Sequence, residues 1–240
     1  MTARAEWIKL WSVRSTWWCL VSGLLLMAAC AWTLGNDFVH DLENPADQAV
    51  RDTTATTMAL HEPLVLAALL AQLAVVALAM LAITTEFSTG SIRSTLRAEP
   101  RRGRVLLAKT GVVGAVTFGA GLLLGAAGLA AGRLGLSDYA VVDAGDAIGA
   151  VLRVAVHLTL VSVISVGMGA ALRSAVGTMG AVLVLLLGPL MLTGPVAEVL
   201  PGYAAANFLR DGTLSDAAVL TAWALASLTL GYTALHRRDP

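Results

Sequence analysis

Six stretches of this 240-residue chain contain no Asp, Glu, Lys or Arg, and each runs for nineteen to twenty-four residues. They are 16–36, 64–85, 110–132, 154–172, 174–197 and 217–235. A helix needs about 20 apolar residues to cross a hydrocarbon layer about 30 Å thick. Backbone N–H and C=O groups cannot be left unpaired in lipid, so such stretches are expected to be helical. A membrane β-barrel would alternate apolar and polar residues, and these stretches do not. Composition agrees: 57% of residues are hydrophobic and 13% are charged, against about a quarter charged in soluble domains. The expectation is an all-α, polytopic membrane protein: one transmembrane domain, 1–240, of six transmembrane helices.

Arginine and lysine set the expected orientation, because loops on the cytoplasmic side carry the excess. One face collects Arg4, Lys9, Arg14, Arg93, Arg97, Arg101, Arg102, Arg104, Lys109, Arg173, Arg237 and Arg238; the other has Arg51, Arg133, Arg153 and Arg210. Both termini are therefore expected in the cytoplasm, with the chain in the cell membrane as a multi-pass protein. Asp37, Asp41, Glu43, Asp47, Asp52 and Glu62 fall in the first external loop, as do His40 and His61. This reads as a solvated acidic loop rather than a metal site. Net charge is zero and there is no basic excess of the kind that nucleic acid requires. Ala28-Ala29-Cys30 resembles a lipoprotein cleavage site, but Met27 suits it poorly and five spans follow, so the first stretch is read as a retained span.

Four shorter features stand out. In 4–15, Trp7, Leu10 and Trp11 recur at helical spacing while Glu6 and Lys9 lie off the stripe, which predicts an amphipathic helix on the cytoplasmic surface. Gly121 and Gly125, and Gly128 and Gly132, are four apart, a spacing that lets helices approach closely in lipid. Intramolecular packing is the expected use. The fifth stretch is interrupted by Gly188-Pro189 and Gly194-Pro195, where proline removes a backbone donor. The apolar segment 198–216 follows; it reads as an external loop, with partial re-entry into the membrane as the alternative. Cys19 and Cys30 would lie roughly 16 Å apart on one helix, too far for a disulfide.

Residues 86–109 form the one long cytoplasmic loop. Gly90 and Pro100 bracket a segment long enough for two helical turns, with Ile92, Thr95 and Leu96 on one side and Arg93 and Arg97 on another. Such a helix is either a docking element or part of an arginine-rich loop that fixes topology. The pattern Glu86-x-x-x-Gly90-Ser-Ile92-Arg93-x-Thr95-Leu96, with Pro100-Arg101-Arg102 and Lys109, resembles the corresponding loop of the type-two ABC transporter permease family. The tryptophan-rich segment before the first span, the six-span layout and Leu200-Pro201 before the last span are similar too. Ser91 stands where members often have Thr.

The resemblance implies a bacterial exporter's membrane-spanning permease subunit that forms the substrate pathway. Its 4–15 segment would be the elbow helix and its 86–109 loop would hold the coupling helix. Glu86, Gly90, Ile92, Arg93, Thr95, Leu96 and Arg97 would couple it to a separate ATP-binding subunit, with Glu86 and 92–96 touching that subunit. ATP and Mg would belong to the partner, leaving no cofactor, metal or catalytic residue here. A second permease chain, identical or different, would complete the pathway.

Other classes find less support. The segment 103–110 resembles a phosphate loop with Ala108 in place of glycine, but no strand precedes it. An ion-gradient-driven transporter would normally carry acids within its spans; here His157, read as near the external end of its span, and Gln72 are the notable polar residues. No zinc-protease motif or nucleophile elbow marks a membrane enzyme. A non-transporting membrane or immunity protein is the remaining alternative.

Overall fold

The structure, a computed structural model, describes residues 2–43, 57–98, 101–141, 143–192 and 194–237. It is a bundle of helices. In chain order these are α1 (Thr2–Ser12), α2 (Arg14–Glu43), α3 (Glu62–Ser88), α4 (Ser91–Ala98), α5 (Arg102–Leu136), α6 (Ala144–Leu172), α7 (Ala175–Leu187), α8 (Pro195–Glu198), α9 (Pro201–Asp211) and α10 (Leu214–Arg237). Two short strands, β1 (Met58–Ala59) and β2 (Ala140–Val141), pair in parallel at one end.

Five helices, α2, α3, α5, α6 and α10, are long and apolar enough to cross a membrane. The fifth stretch of the sequence departs from the expected pattern. It forms α7, of 13 residues, and then a 3-10 turn over Gly188–Met191. Pro189 enters that turn, where its missing N–H leaves no α-helical bond unmade. The following segment is not an open loop: α9 packs on α7, α6, α3 and α10. Gly202 lies so close to α7 that a Cβ would overlap the Leu186 carbonyl.

Helices also outrun the charge-free stretches. Asp37, His40, Asp41 and Glu43 are on the last turns of α2, whereas Asp47 and Asp52 lie outside the described residues. α6 starts ten residues before the 154–172 stretch, because the Asp143 carboxylate accepts from the Asp146 N–H at 2.9 Å and caps it. His157 is therefore near the middle of α6, not near its end.

α3 is the central helix. Two thirds (67%) of its apolar window is buried, against 22% for α2 and 28% for α10, whose outer faces are free for lipid. The glycines of α5 serve two neighbours. Gly121 and Gly125 sit against the backbone of α6 at Ala155 and Val151, and Gly128 and Gly135 against α2 at Met27 and Trp32. On α6 and α10, Gly167 and Gly231 make the same kind of close approach. One apolar cluster centres on Met27, Leu64, Leu124, Leu158 and Phe208. A second, at the charged end, contains Leu10, Leu78, Ile83, Leu106 and Leu235.

Candidate functional site

The residues that carry charge into this bundle meet at one place. α1 ends at Ser12, the chain turns at Val13, and α2 begins at Arg14, so α1 folds back onto the ends of α3 and α5. It docks through Glu6 and Leu10, which are buried, while Trp7 is 47% exposed. The expected stripe of Trp7, Leu10 and Trp11 is thus split: Leu10 joins the core, and Trp11 lies between Trp7 and Trp17, its ring tilted against both at centroid distances of 5.8 and 5.0 Å.

Four charged side chains from three helices form the centre. Lys109, 4% exposed on α5, contacts Glu6 Oε2 and lies 3.1 Å from Glu86 Oε1 and 3.0 Å from the Ala82 carbonyl of α3. Lys9 lies 3.0 Å from the same Glu86 oxygen, 3.2 Å from Glu6 Oε1 and 3.2 Å from Thr95 Oγ1 on α4. Each lysine thus places three N–H donors on three oxygens, the full capacity of an ammonium. Two carboxylates and two ammonium groups balance, which is the condition for holding buried charge. Burial works against the Lys9 ammonium, but the hydrogen bond and charge of Glu86, then Glu6, outweigh it and raise its pKa above the ordinary lysine value.

The turn that brings α4 to this centre depends on glycine. Gly90 has φ of +71°, with its N–H on the Phe87 carbonyl at 3.3 Å, and Thr89 closes α3 by bonding the Thr85 carbonyl. On α4, Ile92 is buried, Thr95 is half-buried beneath Lys9, and Arg97 is exposed. Arg93 and Leu96 lie on the same helix, whereas Glu99 and Pro100 are outside the described residues. Glu86 is buried within this chain and paired with two lysines, so it faces the bundle. The segment resembling a phosphate loop is the first turns of α5, a helix rather than a loop.

The same end holds a second set of contacts. Arg102 at the start of α5 donates to the Leu235 carbonyl, and Arg173 after α6 donates to the Ala234 carbonyl at 3.2 Å. Two cations therefore sit on the C-terminal carbonyls of α10, where the helix dipole favours them. Arg173 also stacks over Phe87 at 5.1 Å.

Midway along the bundle lies a different polar contact. His157 Nε2 and Gln72 Oε1 are 3.1 Å apart, and both side chains are fully buried. Thr117 on α5 and Ser162 on α6 also pair, at 3.0 Å, and both are buried.

Glu6, Lys9 and Lys109 were not among the expected site residues. One sequence signal points to two of them: the chain has only two lysines among its sixteen basic residues, and both are in this cluster. No family model matches the chain, and no curated protein matches it.

Proposed function

We propose that this chain is the membrane-spanning permease subunit of an ATP-driven exporter and works with a separate ATP-binding subunit and a second permease chain. The resemblance of 86–109 to the coupling loop of type-two ABC permeases supports this reading. The observation that carries it is the ionic cluster. Thr95 of α4 touches Lys9 of α1, Lys9 touches Glu86 of α3, and Glu86 touches Lys109 of α5. A subunit that pushes on the exposed side of α4, at Arg97, would move α1 and two membrane helices together. Glu86 then acts as an internal link rather than as a docking residue.

In this reading α7 and its 3-10 turn make the sixth crossing. Thirteen α-helical and four 3-10 residues span about 28 Å, close to the thickness of a hydrocarbon layer. The cluster then lies at the cytoplasmic face of the cell membrane, with both termini on that side. ATP and Mg belong to the partner, and this subunit performs no hydrolysis.

A second reading, an ion-gradient-driven transporter, is favoured by His157, an ionisable group in the middle of a span. Purification in mild detergent separates the two. An ATP-binding chain that co-purifies, and is lost when Arg97 and its neighbours on α4 are replaced, supports the permease reading. Transport by this chain alone in liposomes, driven by a pH or sodium gradient, overturns it.

A further inference from the structure

A partly open groove of about 410 Å³ runs between α1, α2 and α5. Its lining is tryptophan, aliphatic or glycine throughout. Trp7, Trp11 and Trp17 close one end, Leu20 and Leu24 of α2 form a side, and Ala115 and Gly119 of α5 form the floor. Gly119 gives the groove its depth: a Cβ there would meet nothing within 4 Å. The Trp11 N–H is closed to solvent, so Trp11 offers packing and no hydrogen bond. This is the outer side of the bundle, since only 22% of the apolar window of α2 is buried. Along α5 the groove reaches from Ala115 to Leu124, nine residues or about 14 Å. That is the depth of one leaflet in a hydrocarbon layer about 30 Å thick. An apolar wall cannot choose among lipids, because their tails are all as apolar as the wall. Selection falls to the mouth. Arg4 is one turn before Trp7 on α1, and Arg14 is one turn before Trp17 on α2, so each shares a face with a tryptophan of the groove. Both arginines are exposed, and neither has a hydrogen bond or ion pair among the described residues. The described acids of this end, Glu6 and Glu86, are buried and engaged by Lys9 and Lys109. The uncommitted charge at the mouth is therefore positive.

We propose that this groove seats an acyl chain of an anionic phospholipid, with the phosphate in the field of Arg4 and Arg14. Trp7 and Trp17, 47% and 55% exposed, then lie at the headgroup level that suits indole rings. Basic residues at a membrane surface are drawn to anionic lipid in this way. A lipid held there touches α1, α2 and α5 at once and fastens α1 against the spans from the outside, opposite the ionic cluster that fastens it from within. The inference rests on the chain lying in a bilayer and is independent of the ATP-driven reading.

The test uses the full chain in phosphatidylcholine nanodiscs doped with a phosphatidylglycerol whose acyl chain bears a diazirine. Adducts are mapped by mass spectrometry and compared with those of the matching phosphatidylcholine probe. The anionic probe is expected to label Leu20, Leu24 and the 115–124 face at least about tenfold more than the neutral one, from roughly fivefold per arginine. On Leu225 and Leu230, exposed on α10, the two probes should label alike, which also reports that each variant is folded and inserted. Replacing Arg4 and Arg14 together with Gln removes no contact within the chain and should bring groove labelling down to the neutral level. Gly119→Phe, which fills the floor, should abolish it while α10 keeps its adducts. Equal labelling by the two probes, or anionic labelling that survives loss of both arginines, overturns the inference. So does a groove that neither probe labels while Leu123→Cys cross-links two copies of the chain, which would give this face to a second copy.

Discussion

The bundle holds polar groups at two depths, and it treats them differently. At the charged end, four ionised side chains from α1, α3 and α5 share a balanced network, and both lysines have every donor placed. Midway, His157 and Gln72 share one hydrogen bond, and His157 Nδ1 and Gln72 Nε2 have no partner among the described residues. Glu86 and Gln72 are both on α3, fourteen residues or about 21 Å apart. The ionic network lies at the end where α1 supplies two of its four members, and the middle contact is a single side-chain hydrogen bond between two helices. The end cluster is therefore the place where outside segments grip the spans, while the middle pair joins two spans to each other.

Removing Lys109 should break this contrast most severely. Lys109→Met leaves Glu6 and Glu86 buried side by side, at a cost of about 3–5 kcal/mol, read as loss of thermal stability in detergent. His157→Leu should cost less, about 1–2 kcal/mol, since intramembrane hydrogen bonds are individually weak. Replacing Gln72 and His157 together with Leu should cost still less than His157→Leu alone, because no polar group is left stranded. If the middle variants prove as damaging as Lys109→Met, the two depths do not differ in kind. Lys9→Met should have the smallest effect on stability, about 1 kcal/mol or less, because its side chain is 46% exposed.

Lys9 also predicts a pH dependence. Its pKa is raised in the folded chain, so its contribution is complete below the ordinary value of 10.5 and fades as pH rises through the raised value. A spin-label pair on α1 and α4 should keep one distance at neutral pH and broaden only in strong alkali. Broadening near pH 7 would mean that Lys9 does not hold these helices together.

The sequence made some of this plain and hid the rest for physical reasons. Charge-free stretches mark the long helices because unpaired charge is expensive in lipid, and five of the six stretches became helices long enough to span. They do not mark helix ends. α5 takes in Arg102 and Arg133, and α6 takes in Arg153, so His157 was placed too near an end. The shortened α7 was foreshadowed by Gly188-Pro189, whereas the packing of α9 depends on the close approach at Gly202, a tertiary fact. Gly90 was legible as a break and proved to be a left-handed turn. The cluster itself was not legible. Glu6 and Lys9 looked like the polar side of a surface helix, and Lys109 like the end of a basic loop. Glu6 and Lys9 reach Lys109 and Glu86 only because the chain turns back at Val13, and no spacing along the sequence reports that turn.

Coupled transport in liposomes, with the proposed ATP-binding subunit present, tests the proposed role of the cluster most directly. Glu86→Lys should leave ATP hydrolysis running while transport falls to background, and adding Lys109→Glu, which restores the charge balance, should recover part of the transport. Undiminished transport in Glu86→Lys, or no recovery in the exchange variant when it folds and binds the ATPase normally, would contradict the role given to the cluster.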